Sequence, residues 1–418
     1  MSRSTIMTLA TAVLIVAGTA TTTATAQAAP RSSPSAAPRS PSLAGNASSW
    51  TSATLPVSDT VLDGAAQPDA GTTWAAGFRI TQIGKVSVHT PVLLTRRAGD
   101  PRGWVSTPTA TLPDGAQTRF NGVTATSASD GWVVGDDAAQ AGGIVTERWN
   151  GASWSLNAAP VPAATYDDSA GLLSISGRGS DDAWAVGWAQ IDDGTATDPD
   201  SGLPYTQTHM AGLAEHWNGS SWTVQRLPEP ADGFVLNAVT EIGPDDVWAA
   251  GSTTDSDQPV LMHDDGHGWT QVPAPQYVGL AGEFNALAGT GPDDVWAVGR
   301  TVLDDSDEGH ALVAHWDGHS WRQVTVPAAA GRLSAVTVTP QGVVAVGRTT
   351  TAAYPGPGAD GYAMRLSGGT WHSLALPSGT LFDPEGVVGS SSRQTTVVGV
   401  VADPTQPEPQ PMILTSGA

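Results

Sequence analysis

From Asn46 onward, apolar residues come in short runs cut off by Gly, Pro, Asp and Asn, without the i, i+3, i+4, i+7 spacing of an amphipathic helix. One stretch shows the pattern in full. Phe284-Asn285-Ala286-Leu287-Ala288 reads as a first strand, Gly289 to Pro292 as a turn, and Asp294 to Gly299 as a second strand. A polar loop, Arg300 to Gly309, leads to a third strand, Ala311 to Trp316. Asp317-Gly318-His319 is a tight turn into a fourth strand, Ser320 to Val326. Asp-Gly between two apolar runs is a strong hairpin marker, so the unit is four short antiparallel strands.

The unit repeats. Gly291-Pro292-Asp293-Asp294-Val295-Trp296-Ala297-Val298-Gly299 has a near-copy starting at Gly243 and a third at Ser180. Weaker copies end in Gly135, Gly77, Gly347 and Gly399. A four-stranded repeat of this length is the blade of a β-propeller, and seven copies predict seven blades. The ends count in the same way. Ser49 to Pro56 reads as a fourth strand with no blade of its own, and Pro411 to Gly417 as a third strand with no fourth after it. The N-terminal strand, about 49–56, therefore completes the C-terminal blade and closes the ring. The repeated Trp is expected to pack between blades, the Pro-Asp-Asp run to set a β-turn, and the closing Gly to let the backbone turn into the loop. His216, His315 and Arg148 share one register position, which argues for a structural role.

Composition narrows the setting. The chain carries 40 Asp and Glu against 18 Lys and Arg, a net charge of −22, and Lys85 is its only lysine. That surface repels phosphate backbones and anionic membranes, so nucleic acid is excluded as a partner class. With no Cys, disulfides, thiolate metal sites and a Cys nucleophile are ruled out. Arg3, the apolar Ile6 to Ala20 and Ala26-Gln27-Ala28 read as a signal peptide over 1–28, so the protein is expected to be secreted, with no membrane span after signal removal. An Ala/Pro/Ser-rich flexible linker is expected over 29–45, and the propeller over 46–418, as a monomer.

The Asp-Asp-Val-Trp-Ala-Val-Gly strand, the His/Arg-Trp-Asn/Asp-Gly turn and the Ser-Trp fourth strand resemble secreted bacterial kelch-like or galactose-oxidase-like seven-bladed propellers. The resemblance covers about 46–418 and implies the fold. It departs from kelch in lacking a second Gly after the second strand, where Phe78, Asp136, Trp188, Ser252, Arg300, Arg348 and Val400 stand. Galactose oxidase activity is not implied, because its Cys-linked Tyr has no counterpart here.

Function is expected on the face carrying the loops between second and third strands, the longest being Trp188 to His209 and Arg348 to Gly361, followed by Phe78 to Thr90. At the start of each first strand stands a polar residue: Asp63, Asn121, Ser174, Asn237, Asn285, Ser334 and Glu385. Innermost strands line the channel, so these form a polar ring that either contacts ligand or bonds strand ends and channel water. Asp63 and Glu385 are neighbours across the closure, a carboxylate pair open to acid–base chemistry. Trp188, Tyr205 and Tyr354 are candidates for an aromatic platform. The acidic segment with Asp192, Asp193, Asp198 and Asp200 is the candidate for Ca²⁺, against a plainer reading as a solvated loop; it lacks EF-hand spacing. No other cofactor is expected. These features predict a non-enzymatic binding protein for an extracellular carbohydrate or protein. The alternatives are a carbohydrate-active hydrolase or lyase working at the channel mouth, and a structural or adhesive cell-surface protein.

Overall fold

The computed structural model describes residues 50–139, 143–230, 232–303, 309–327, 330–349, 360–377, 381–389, 393–401 and 408–417. The expected signal peptide and linker, residues 304–308 of the polar loop, and Tyr354 lie outside the described residues.

The described chain forms seven four-stranded antiparallel sheets, one per repeat. The inner strands, in blade order, are Thr60–Asp69, Thr118–Ser127, Thr165–Gly179, Phe234–Gly243, Ala281–Gly291, Ala330–Thr339 and Phe382–Gly389. Blade 7 is closed by Trp50–Ser52, which pairs antiparallel with Gln410–Ser416 in the register Trp50↔Ser416, Thr51↔Thr415, Ser52↔Leu414. The two ends of the ring are thus one sheet. Edge strands are kept very short, as in Trp104–Ser106, Trp154–Leu156 and Trp269–Gln271, which limits pairing with other chains.

The core lies between blades. In blades 1–5 the second-strand Trp reaches into the next blade: Trp132 lies 4.9 Å from Trp217 and 5.0 Å from Trp222, and Trp248 lies 4.9 Å from Trp316 and 5.3 Å from Trp321. Such aromatic pairs add about 0.5–1.5 kcal/mol each beyond area burial. The second Asp of the turn does more than shape it. Asp246 accepts a 2.9 Å bond from His263 Nε2, and the His263 ring stacks on Trp248 at 4.1 Å. Asp182, His216 and Trp184 repeat the arrangement, as do Asp294, His315 and Trp296. In blade 2, Arg148 replaces the imidazole, bonded to Asp130 and lying 5.1 Å over Trp132.

Two expectations change. The Gly that ends each second strand is needed for space, not for turning. A Cβ at Gly77, Gly251 or Gly299 would lie 1.9 Å from the carbonyl oxygen of Val61, Val235 or Glu283 on the inner strand. That oxygen is pushed forward by a bulge one step further on, so only Gly fits. Second, two of the expected loops are strand. Thr72–Ile83 pairs with Val86–Arg97, and Asp182–Thr197 with Pro204–Trp217, so blades 1 and 3 each raise a hairpin above the ring.

Candidate functional site at the channel mouth

On every inner strand one residue is skipped by the register, opposite the crowded Gly. The skipped positions fall between Leu62 and Gly64, Phe120 and Gly122, Leu172 and Ser174, Leu236 and Ala238, Phe284 and Ala286, Leu333 and Ala335, and Pro384 and Gly386. The ring is therefore Asp63, Asn121, Leu173, Asn237, Asn285, Ser334 and Glu385. Ser174 is not part of it. Its hydroxyl accepts the Val239 amide of the next blade at 3.2 Å, and half-buried Leu173 holds the ring position. The three Asn residues clasp neighbouring blades: Asn121 Nδ2 donates to Leu172 O at 2.9 Å, Asn237 to Phe284 O at 3.0 Å, and Asn285 to Leu333 O at 2.9 Å.

Around the ring stands a belt of charge that sequence reasoning missed. Arg119 pairs with Asp136, which also accepts Asn121 Nδ2 at 2.8 Å. Arg300 Nε bonds Glu283 Oε1 at 3.0 Å. Arg348 reaches Asp383 at 3.6 Å, and Arg332 reaches Glu385 at 3.9 Å, both from blade 6 to blade 7. Two of these pairs are cross-strand partners, Arg119↔Asp136 and Glu283↔Arg300. The available signal was the set of residues after the repeated Gly, where Asp136, Arg300 and Arg348 depart from the kelch pattern.

The belt is tightest where the ring closes. Burial, then the nearby Glu385, hold the Asp63 carboxyl well above its usual range. Burial, then Asp383, raise Glu385, and burial raises Asp383. Burial works to lower Arg332, but the surrounding Glu385, Asp383, Glu283 and Asp63 outweigh it and keep the guanidinium charged. Among the described residues, Asp63 Oδ2, Asp383 Oδ1 and Arg332 Nε are buried without a protein hydrogen-bond partner, while Ser334 lies within hydrogen-bonding reach of the Glu385 carboxyl. Nearby His89 is held neutral by burial, then by Arg119, and packs edge-on to Phe78 at 5.2 Å. The mouth thus offers unused donors and acceptors side by side, chemistry suited to hydroxyl groups.

The rim differs from the mouth. Of the ten large apolar side chains exposed among the described residues, eight are on the long-loop face: Ile83, Val86, Tyr166, Leu203, Tyr205, Val278, Leu280 and Leu303. The others, Leu156 and Val224, end outer strands. Trp188 is half-buried beside the mouth; a Cβ on Gly171 would lie 3.2 Å from its Nε1 and 2.9 Å from the Asp136 Cβ. Tyr205 stands apart on the blade 3 hairpin, opposite Ala196. The four candidate Ca²⁺ ligands do not converge. Asp192 caps the Gly194 amide, Asp198 accepts the Asp200 and Ser201 amides, and Asp193 pairs with His209 at 2.8 Å. No cluster of three or more His, Asp or Glu able to hold a metal occurs among the described residues. The carboxylates stabilise hairpin turns, which is why a run of Asp looked like a cation loop.

No family model and no curated protein matches this chain. Solved structures do. YCF48 from Cyanidioschyzon merolae aligns at a TM-score of 0.52 and 14% identity, covering 88% of this chain and 98% of that one. Virginiamycin B lyase from Staphylococcus aureus aligns at 0.52 and 14%, covering 88% and 99%. The Aleuria aurantia lectin in complex with Fucalpha1-6GlcNAc aligns at 0.42 and 13%, covering 77% and 98%. At these identities the likeness shows the fold alone, a ring of β-blades.

Proposed function

We propose that the protein is an exported, non-enzymatic binding propeller of the kelch-like, galactose-oxidase-like type, taking an extracellular carbohydrate or protein ligand on its long-loop face. The supporting observation is the placement of exposed apolar side chains. A soluble ring keeps its surface polar, yet Ile83, Val86, Leu203 and Tyr205 stand at or beside hairpin tips on one face. Between the hairpins the mouth supplies hydrogen-bonding groups without protein partners, and Trp188 borders it. An apolar rim around a polar centre suits a ligand with both characters, such as a glycan on a protein or cell surface. Export is supported by the apolar run after Arg3 and the Ala26-Gln27-Ala28 sequence.

The test is a glycan-array screen of the mature protein with and without Ca²⁺, repeated with Trp188→Ala and with Ile83→Ser/Val86→Ser. Glycan binding lost in Trp188→Ala supports a sugar at the mouth. No glycan bound by the wild type rejects carbohydrate and leaves the protein ligand. One observation favours the hydrolase or lyase reading: the buried carboxyls of Asp63 and Glu385, both at the mouth, have raised proton affinity. Turnover of a bound glycan, lost in Asp63→Asn and Glu385→Gln, would establish that reading.

A further inference from the structure

The seven blade seams are built alike but are not filled alike. At the first seam the Trp74 indole covers Gly131, where a Cβ would come within 2.5 Å of it, and Trp149 packs on Trp74 at 6.0 Å. The register places Thr396 of blade 7 at the position of Trp74, since Thr396 pairs with Thr415 and Val388 as Trp74 does with Thr95 and Ala66. It places Arg96 of blade 1 at the position of Trp149. At the closing seam both indoles are therefore absent, replaced by a short hydroxyl side chain and a guanidinium.

A cavity of about 40 Å³ results, lined by Gln67, Thr73, Arg96, Val388, Gln394 and Thr396, with the Ala70-Gly71 turn and Ala98 at its border. One water needs roughly 10–15 Å³, so there is room for a group of several atoms. The lining is rich in donors. Among the described residues, half-buried Arg96 makes no ion pair or side-chain hydrogen bond, and Gln67, Thr73 and Thr396 have no side-chain partners. Arg96 is the one arginine lining the cavity, on a chain of net charge −22. The nearest carboxylate in sequence, Asp69, is turned onto the Gly71 amide at 2.7 Å.

We propose that this seam socket is an oxyanion site, taking a carboxylate or phosphate-like group on the face opposite the long loops. Arg96 supplies the charge and a two-pronged donor, and Gln67, Thr73 and Thr396 complete the hydrogen bonding. The site is separate from the channel mouth, so it stands or falls independently of the ligand proposed there.

The test uses the mature protein and three probes, inorganic phosphate, acetate and N-acetyl-glycylglycine, each titrated against chloride at matched ionic strength. Melting temperature should rise saturably with at least one probe. Arg96→Met should raise the half-saturating concentration by about tenfold or more, the loss expected for a charge-assisted bond. Arg322→Met, a matched charge change at an exposed pair, should not. Thr396→Trp, which restores the repeat's own indole, should abolish the effect in a folded ring even if Arg96→Met folds poorly. Selenate soaked into crystals should give an anomalous peak within hydrogen-bonding distance of the Arg96 guanidinium. Tighter binding of the peptide than of acetate assigns the socket to chain-terminal carboxylates, and preference for phosphate assigns it to free oxyanions. No rise beyond that in chloride, an equal rise in Thr396→Trp, or a selenate peak only elsewhere overturns the proposal.

Discussion

Glu215 is a buried acid whose ring position can be compared with its counterparts. It is fully buried on the third strand of blade 3, and neither carboxyl oxygen has a partner. Glu147, one blade earlier, has the same register but accepts the Ala110 amide at 2.9 Å. The connector position that matches Ala110 is Pro160, three residues after Asn157 as Ala110 is after Thr107, and Pro has no amide hydrogen. Burial alone then pushes Glu215 from 4.5 up to about 8. The sign follows. The folded chain holds a proton that the unfolded chain releases above pH 4.5, so stability is full below that value and is lost as pH rises toward the folded value. At about 1.4 kcal/mol per pH unit, the cost is roughly 3 kcal/mol at pH 7 and under about 1 kcal/mol at pH 5. The repeat supplies its own replacement, because Met262 and Met364 occupy this register in blades 4 and 6. Glu215→Met should stabilise the ring by about 2–3 kcal/mol at pH 7 and by little at pH 4.5. Urea denaturation at the two pH values reads this directly. A loss of stability at pH 7, or an unchanged pH slope, would refute the reasoning.

Other outcomes follow from the same geometry. Asp63, Glu147, Glu215, Glu241 and Glu385 all have raised folded values, Glu241 at about 9 through burial and then Asp182. The melting temperature should therefore peak at mildly acidic pH and fall toward pH 9; a rise toward pH 8 in calorimetry contradicts this. Gly299→Ala drives a Cβ to 1.9 Å from Glu283 O and should cost about 3 kcal/mol or more, or prevent folding, as read by soluble yield and circular dichroism. His263→Ala removes both the Asp246 bond and the stack on Trp248 and should cost about 1–3 kcal/mol. Arg102→Ala, at an exposed pair with Asp100, should leave the midpoint of the same denaturant assay unchanged.

The ring was legible because a blade cannot bury its faces alone, and the Trp that does the burying returns at a fixed interval. The closure by Trp50–Ser52 followed from counting strands at the two ends. Much of the mouth was legible too, because Asn121, Asn237 and Asn285 mark the bulge in the local string. Leu173 broke the polar pattern, and a neighbouring Ser took its place in the reading. The charge belt was hidden for a different reason. Arg119 with Asp136 and Glu283 with Arg300 pair across two strands of one blade, and Arg332 and Arg348 meet Glu385 and Asp383 only when blade 6 packs on blade 7. The blade 1 and blade 3 hairpins looked like loops because both faces are solvated there, so apolar and polar residues have no reason to alternate. The Asp-Asp turn hid its bond to His263 or His315 because that pairing runs across the sheet.

The account rests on the long-loop face being the one that meets a ligand. The most direct measurement is array binding of the mature wild type beside two surface variants. Tyr205→Asp with Leu203→Asp places charge on the blade 3 hairpin, and Ser180→Arg with Asp181→Arg alters exposed residues on the opposite face. The account predicts that the first variant loses the wild-type signal and the second retains it. Loss in the second with retention in the first would contradict it.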